Sequence, residues 1–106
     1  MNRRKEVQQR LIDFSNVLKQ NGYKVYVFRG QVEEDSINLL YIRKNNMQTY
    51  IWYAECYCYW CMDGYNCSYP SYIKDGSDYK TFPFGLKEVE QSLVLSKPLQ
   101  SFYVEI

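Results

Sequence analysis

The sequence predicts an α+β fold with an N-terminal helix, an antiparallel β-meander of three to four strands, a short C-terminal helix and a final edge strand. Apolar residues recur at helical spacing near the start of the chain, and the next segments alternate apolar and polar residues with a period of two. At 106 residues the chain suits a two-layer core in one domain covering 1–106.

The first predicted element is a helix over 6–20. Its apolar residues recur at spacings of four, three and four, which places them on one helical face: Val7, Leu11, Phe14 and Leu18. Asn21-Gly22 ends the helix, because Gly adopts the left-handed conformation at low cost.

Three sequential antiparallel strands are predicted next, over 23–29, 37–43 and 48–55. The first is rich in β-branched and aromatic residues, with Val25 and Val27 on the side opposite Tyr26 and Phe28. The second, INLLYIR, is apolar on both faces, as a central strand would be. The acidic segment between them, QVEEDS, is predicted to be a solvated loop.

Asn45 and Asn46 mark the hairpin turn between the second and third strands, since Asn tolerates positive φ. Beyond Glu55 two interpretations stay open. The alternation can continue as one long strand to Cys61, followed by a turn at Asp63-Gly64 and a return over 65–69; the alternative is an irregular cysteine-rich loop.

The last third of the chain predicts an extended connection over 71–84, a short helix and a strand. Leu86, Val89 and Leu93 mark the helix, and Pro98 prevents its extension. Alternation over 101–106 then predicts the final strand.

The stretch 49–79 holds all four cysteines, both tryptophans and eight of the twelve tyrosines. No Lys or Arg occurs between Lys44 and Lys74, so this stretch lacks the cations that would follow the phosphates of a stacked nucleic acid. Tyr and Trp are enriched at protein interfaces. We therefore expect a core that extends into a protein interface, with Tyr57, Trp60 and Tyr65 as partner-binding residues near the tip of the second hairpin.

Composition argues against catalysis. The chain has no histidine, which removes the commonest general base and every Ser-His or Cys-His nucleophile pair. Its carboxylates form no spaced set, and its five glycines stand alone. We predict that the protein is not an enzyme and uses no cofactor.

The cysteines follow a C-x-C-x2-C-x5-C pattern at positions 56, 58, 61 and 67. Cys58 and Cys61 alone have the spacing of a zinc knuckle, and a continuous strand would point Cys56 and Cys58 to the face opposite Cys61. The prediction is metal-free, partly buried thiols. The alternatives are a zinc site, if the segment is a loop, and disulfides.

No segment approaches the roughly 18 apolar residues of a membrane span, and the basic N-terminus is not followed by an apolar stretch. The expected compartment is the cytoplasm. Residues 1–30 carry seven basic and two acidic side chains, whereas the whole chain has a net charge of +1. This basic end is interpreted as a solvated helix face rather than a nucleic-acid site.

The segment NGYKVYVFRGQVEEDSINLLYIRKNNMQTYIWYAE, about a third of the chain, resembles the small phage-encoded anti-CRISPR proteins that inhibit Cas9. The shared features are Tyr23-x-Val25, Gly30, Ser36-Ile37, Ile42-Arg43, Asn45-Asn46 and Tyr50-Ile51. The resemblance implies an inhibitor that occupies a nucleic-acid-binding surface, with Glu33, Glu34 and Asp35 in a loop that enters the nuclease in place of phosphates. Where that family turns acidic after its third strand, this chain turns to Tyr, Trp and Cys.

The predicted function is therefore a small intracellular binding protein, encoded by a phage or mobile element, that inhibits a host defence protein by occlusion. The expected partner is a CRISPR effector or another defence nuclease, and neither a membrane nor a nucleic acid is expected. The alternatives are a zinc-stabilised domain that contacts nucleic acid through its basic first helix, and a small enzyme.

Overall fold

The computed structural model describes residues 3–54, 59–62 and 85–106, with side chains described over 5–52 and 85–106. Within these ranges the helices are α1 (Arg3–Gln20), α2 (Arg29–Glu33) and α3 (Leu86–Ser92). The strands are β1 (Lys24–Phe28), β2 (Leu39–Lys44), β3 (Met47–Ala54), β4 (Tyr59–Met62), β5 (Val94–Leu95) and β6 (Tyr103–Glu105). The predicted α+β class is confirmed, as are the first helix, the meander and the short C-terminal helix, which is α3.

The described strands form one antiparallel sheet in the order β4-β3-β2-β1-β6, and the two-residue β5 pairs with the first residues of β3. Strand β2 lies in the middle of the sheet, as predicted, and the final strand, β6, lies at the edge beside β1. Asn45 has a φ of 57° in the two-residue turn between β2 and β3, as the Asn-Asn pair predicted. The short strand β5 was not predicted.

The two faces of the sheet differ in chemistry because successive side chains along a strand point to opposite sides. The inner face carries Val25, Val27, Leu40, Ile42 and Ile51, all of them 0% exposed. The register places a second set on the opposite, outer face: Lys24, Tyr26, Phe28, Leu39, Tyr41, Arg43, Gln48, Tyr50, Trp52, Tyr103 and Glu105.

Both longer helices pack on the inner face. The predicted stripe of α1 is buried, with Val7, Leu11 and Leu18 at most 1% exposed, and Phe14 packs against the same core. Helix α3 contributes Val89, which is 0% exposed, to that core. The outer face is therefore the side of the sheet that α1 and α3 leave uncovered.

Helix α1 ends as its Asn-Gly pair predicted. Gly22 has a φ of 86°, the Tyr23 N–H donates to the Leu18 carbonyl (3.1 Å), and the Gly22 N–H donates to the Lys19 carbonyl (3.2 Å). These bonds form the common glycine-terminated helix end. Lys44 adds a cation at this end, because its Nζ donates to the Asn21 carbonyl (3.2 Å) and lies 4.7 Å above the Tyr23 ring.

The predicted loop over 31–36 is wrong in its first half, because Arg29–Glu33 forms α2. This helix ends in the same way as α1: the Ser36 N–H donates to the Gln31 carbonyl (2.9 Å), and Asp35 has a φ of 54°. The left-handed position is held by an Asp rather than by the expected Gly. The sequence pattern therefore contained no clear signal for the end of a helix.

Tertiary contacts hold Asp35 in this conformation. Its carboxylate accepts hydrogen bonds from Lys5 Nζ and from Gln8 Nε2 (2.9 Å). The Gln8 side-chain oxygen accepts the Ile37 N–H (2.7 Å). The first turns of α1 thus fix the path of the chain between α2 and β2.

A second correction concerns the strand after Glu55. Of the two interpretations left open there, the single strand to Cys61 is wrong, because β3 ends at Ala54 and Tyr59–Met62 returns beside it as β4. Cys and Tyr alternate over residues 56–59, as they would in a continuing strand, and residues 55–58 offer no Gly, Pro or Asn to signal a turn. The predicted turn at Asp63-Gly64, the return over 65–69 and the connection over 71–84 lie outside the described residues.

Among the residues that the structure describes, no helix has the length and the apolar composition that crossing a bilayer demands.

We predict that Asp35 makes stability depend on pH in the acid range. Hydrogen bonding from Lys5, then from Gln8, holds the pKa of the Asp35 carboxyl below its ordinary value. A carboxyl of this kind stabilises the fold above its unfolded pKa of about 4, and the contribution is lost as the pH falls through the lower, folded pKa.

We therefore expect Asp35→Asn to reduce the pH dependence of the melting temperature below about pH 5. Lys5→Gln should have the same effect, because it removes the main cause of the shift. Thermal melts of the three proteins from neutral pH downwards test this. Unchanged pH dependence in both variants would show that Asp35 is not the source.

Candidate interaction surface

Aromatic side chains cover the outer face of the sheet. Tyr26, Tyr41 and Tyr50 stand opposite one another on three adjacent strands, because Tyr26 pairs with Tyr41 and Tyr41 with Tyr50. Towards the end of the sheet where β1 finishes, Leu39 pairs with Trp52. Cross-strand neighbours at this spacing are in contact and stabilise one another.

The rings on the β1 side of this face pack around Tyr103. Its centroid lies 4.9 Å from that of Phe28, 4.8 Å from Tyr41 and 4.9 Å from Phe102. Tyr41 is buried by these contacts at 8% exposure, whereas Phe102 remains 46% exposed. The cluster therefore has a buried centre and an exposed apolar margin.

Residues 96–102, the crossover segment, connect β5 beside β3 to β6 beside β1. The Lys97 N–H donates to the side-chain oxygen of Gln48 (2.9 Å), and Arg43 Nη2 donates to the Lys97 carbonyl (2.8 Å). Gln48 and Arg43 both belong to the outer face. The crossover segment therefore passes over this face, and it ends where the Arg29 N–H donates to the Phe102 carbonyl (2.9 Å).

Gln48 joins the rings to the crossover segment. Its side-chain oxygen also accepts a hydrogen bond from the Tyr41 hydroxyl, and the residue is only 5% exposed. One buried oxygen thus serves a hydroxyl of the central strand and an amide of the crossover segment. Loss of this acceptor would remove two hydrogen bonds, one within the outer face and one that joins it to the crossover segment.

A depression of about 440 Å³ remains open between the rings and the crossover segment. We call it the aromatic depression; its lining residues are Leu39, Tyr41, Gln48, Tyr50, Trp52, Lys97 and Tyr103. Tyr50 and Trp52 are half-buried, so their rings are accessible from solvent. Apolar walls with a few polar groups suit the insertion of an aromatic or aliphatic side chain of a partner.

The chemistry of this surface suits binding. Burial raises the pKa of the Tyr103 hydroxyl, and the neighbouring Tyr41 adds to the rise. The Tyr103 hydroxyl therefore stays protonated near neutral pH and can donate or accept a hydrogen bond. Over the described side chains, no three Cys, Asp or Glu residues converge as metal ligands would.

The predicted acidic residues lie at the end of the sheet where β1 finishes. Glu33 is the last residue of α2, and Glu34 follows it; both side chains are exposed. Asp35 is exposed too, but its carboxylate is bound by Lys5 and Gln8. Their role in partner binding stays a prediction.

The predicted aromatic anchors are placed only in part. Trp60 belongs to β4, where it pairs with Tyr53, so its backbone lies in the sheet rather than in a hairpin tip. In the sheet, β3 lies between the strand of Trp60 and β2. The acidic residues belong to the segment that connects β1 to β2 along the chain. Tyr57 and Tyr65 lie outside the described residues. Their role as anchors, and that of Trp60, stays a prediction.

Of the four cysteines, the structure describes the backbone of Cys61 alone. Cys61 belongs to β4 and pairs with Trp52, while Cys56, Cys58 and Cys67 lie outside the described residues. The parity argument against a shared metal required one unbroken strand through positions 56–61. Because β3 ends at Ala54, that argument no longer applies.

Sequence reasoning missed most of the aromatic depression. It placed Tyr26 and Phe28 opposite the core, which is correct, but it looked for the interface in residues 49–79. Tyr41 was assigned only to a strand buried on both faces, and nothing local to Tyr103 shows that it packs on Tyr41 and Phe28. The alternation of β2 was the available signal, since Tyr41 and Arg43 share the face opposite Leu40.

We predict that Gln48→Ala lowers the free energy of unfolding by about 2–3 kcal/mol, because it removes the acceptor of two hydrogen bonds at a residue that is 5% exposed, and the loss of one such bond costs about 1–3 kcal/mol. The Lys97 amide should also exchange faster with solvent. Gln20→Ala, at an exposed position in the last turn of α1, is the matched control and should change stability by no more than about 0.5 kcal/mol. Equal stability of both variants would exclude the joining role of Gln48.

No family model, no curated protein and no solved structure matches this chain. The resemblance to anti-CRISPR proteins is thus supported only by the shared residues of segment 21–55.

Proposed function

We propose that this protein is a small binding protein that inhibits a larger host defence protein by occluding one of its functional surfaces. The proposed partner is a defence nuclease of the CRISPR-effector type. A binding role in the cytoplasm, with the gene carried by a phage or another mobile element, fits this proposal. The proposed role requires no catalytic residue in this chain.

The aromatic depression is the observation that carries the proposal. Phe102, Tyr50 and Trp52 leave apolar surface accessible on the outer face. Aromatic residues in a preformed hollow give large contact areas at a small entropic cost, and such residues dominate the binding energy of protein interfaces. A partner side chain that fills the hollow would complete the burial of this face.

Charge near the depression supports the same type of partner. Glu33 and Glu34 lie at the end of the sheet to which Leu39 and Trp52 belong, since α2 follows β1 directly and β2 begins with Leu39. A nuclease surface that binds nucleic acid is positively charged. Two exposed carboxylates beside an apolar anchor would complement such a surface, as the anti-CRISPR resemblance implies.

The test is inhibition of DNA cleavage by guide-loaded Cas9-type nucleases, with the affinity of each complex measured directly. We expect Tyr50→Ala to weaken binding by about 2 kcal/mol, close to thirtyfold in Kd, if Tyr50 is an anchor. Glu33→Gln with Glu34→Gln should slow association, and this effect should shrink at high salt.

Glu90→Gln is the matched control, because Glu90 is exposed on α3 and α3 packs on the inner face. It should leave binding and inhibition unchanged. The predicted anchors are tested in the same assay with Tyr57→Ala, Trp60→Ala and Tyr65→Ala. Absence of binding to any nuclease of the host's defence systems would refute the proposed function.

The alternative function is a zinc-stabilised nucleic-acid-binding domain. Its supporting observation is that β3 ends at Ala54 and β4 begins at Tyr59, so Cys56, Cys58 and Cys61 do not share one strand. We still propose metal-free thiols, since the C-x-C-x2-C-x5-C spacing lacks the paired knuckles of structural zinc sites.

We therefore expect less than stoichiometric zinc by elemental analysis of protein purified without chelator, and an unchanged melting temperature after addition of EDTA. A structural zinc site binds with a free energy comparable to that of folding, so its removal would lower the melting temperature strongly. One zinc per chain together with that loss would favour the alternative.

A further inference from the structure

A second depression, of about 480 Å³, lies at the opposite end of the sheet, beside the β2–β3 turn. We call it the basic depression; its lining residues are Gly22, Lys24, Tyr26, Arg43, Lys44 and Asn45. The lining contains three cationic side chains and no carboxylate. Anions therefore have a favourable place to bind at this end of the molecule.

Two of these cations have hydrogen-bond partners within the fold. Lys44 donates to the carbonyl of Asn21 at the end of α1, and Arg43 donates to the carbonyl of Lys97 in the crossover segment. Both partners are neutral, so both positive charges remain. The carboxylate of Asp35 pairs with Lys5 and does not belong to the lining of the basic depression.

The position of Lys24 is unfavourable in the sheet. It stands directly opposite Arg43 in the antiparallel register of β1 and β2. Like charges in this position destabilise a sheet. The acid of the outer face nearest in register, Glu105, pairs with Tyr26 rather than with Lys24. An anion bound between Lys24 and Arg43 would turn this repulsion into attraction.

We propose that the basic depression binds a phosphate group of single-stranded nucleic acid. The guanidinium of Arg43 offers a planar set of donors that matches phosphate oxygens, and Lys24 and Lys44 add two further positive charges to the same lining. Tyr26 in the same lining supplies a ring for the adjoining base or sugar. The combination of cations and a ring fits a nucleotide better than it fits a carboxylate.

This inference is independent of the proposed inhibitory function, because it concerns different residues at the other end of the sheet. The basic depression also lies outside residues 49–79, for which the sequence argued against nucleic-acid binding. That argument rested on the absence of Lys and Arg within one stretch, whereas the fold brings Lys24 of β1 beside Arg43 and Lys44 of β2.

The test is fluorescence anisotropy with a labelled oligothymidylate of eight nucleotides at several salt concentrations. We expect weak binding, with Kd on the order of 10⁻⁴ to 10⁻⁶ M. Neutralisation of the one bound phosphate on a single strand predicts a slope of about −0.7 for log K against log salt. Inorganic phosphate should compete at high concentration.

Lys24→Glu should weaken oligonucleotide binding at least tenfold. Lys24 is exposed, so this variant should keep the fold, which circular dichroism checks. Lys87→Glu makes the same charge change at an exposed position of α3 and should leave binding within twofold of the parent. Lys24→Glu should also keep the affinity for the nuclease, which separates this site from the proposed inhibitory surface.

Three outcomes would overturn the proposal. The first is no salt-dependent binding of the oligonucleotide. The second is an equal loss in Lys24→Glu and Lys87→Glu, which would indicate attraction to the net charge alone. The third is displacement of the oligonucleotide by a polyglutamate peptide of equal charge at equal concentration, which would indicate a site for acidic protein segments.

Discussion

The structure depends on the two-residue period of its strands. Val25 and Val27, Leu40 and Ile42, and Ile51 place a continuous apolar layer on the inner face, where α1 buries it. The same period places every alternate residue on the outer face. A shift of one residue in any of these pairings would bury Tyr26 or Tyr41 under α1 and expose the valines, which is why the register is strongly specified.

The outer face is stabilised in a different way. Its rings pack on one another around Tyr103, and its polar groups are satisfied through Gln48. The crossover segment covers the centre and leaves a hollow at each end, one aromatic and one basic. The chain thus uses its inner face for stability and presents two chemically different surfaces on the other side.

Local patterns were sufficient for the elements with strong local signals. The α1 stripe, the Gly22 helix end, the Asn45 turn and the short α3 were all predictable from residue type and spacing. Two features were not. Helix α2 is followed by Asp35 in a left-handed conformation, which Lys5 and Gln8 of α1 hold in place. The reversal after Ala54 occurs within an alternating sequence that contains no turn residue.

The two candidate surfaces were less predictable than the fold because both depend on contacts between distant segments. The sequence shows that Tyr26 lies opposite Val25, but not that Tyr103 lies near Phe28. The like-charge pair of Lys24 and Arg43 likewise appears only when the register of β1 and β2 is known. A search of single stretches therefore finds the aromatic residues of 49–79 and overlooks those assembled by the sheet.

The pairing of β6 with β1 has a consequence for folding kinetics. The β1–β2–β3 meander consists of neighbours in sequence, whereas the Phe28–Tyr103 pair closes a loop over most of the chain. Long-range closure of this kind is slow relative to the formation of adjacent hairpins. We expect the meander and α1 to form first and β6 to dock late, so the aromatic depression is completed in the last folding step. On the ribosome, a nascent chain would hold the part of the inner core that α1 and the meander form before Tyr103 emerges, and it would acquire its binding surface only afterwards.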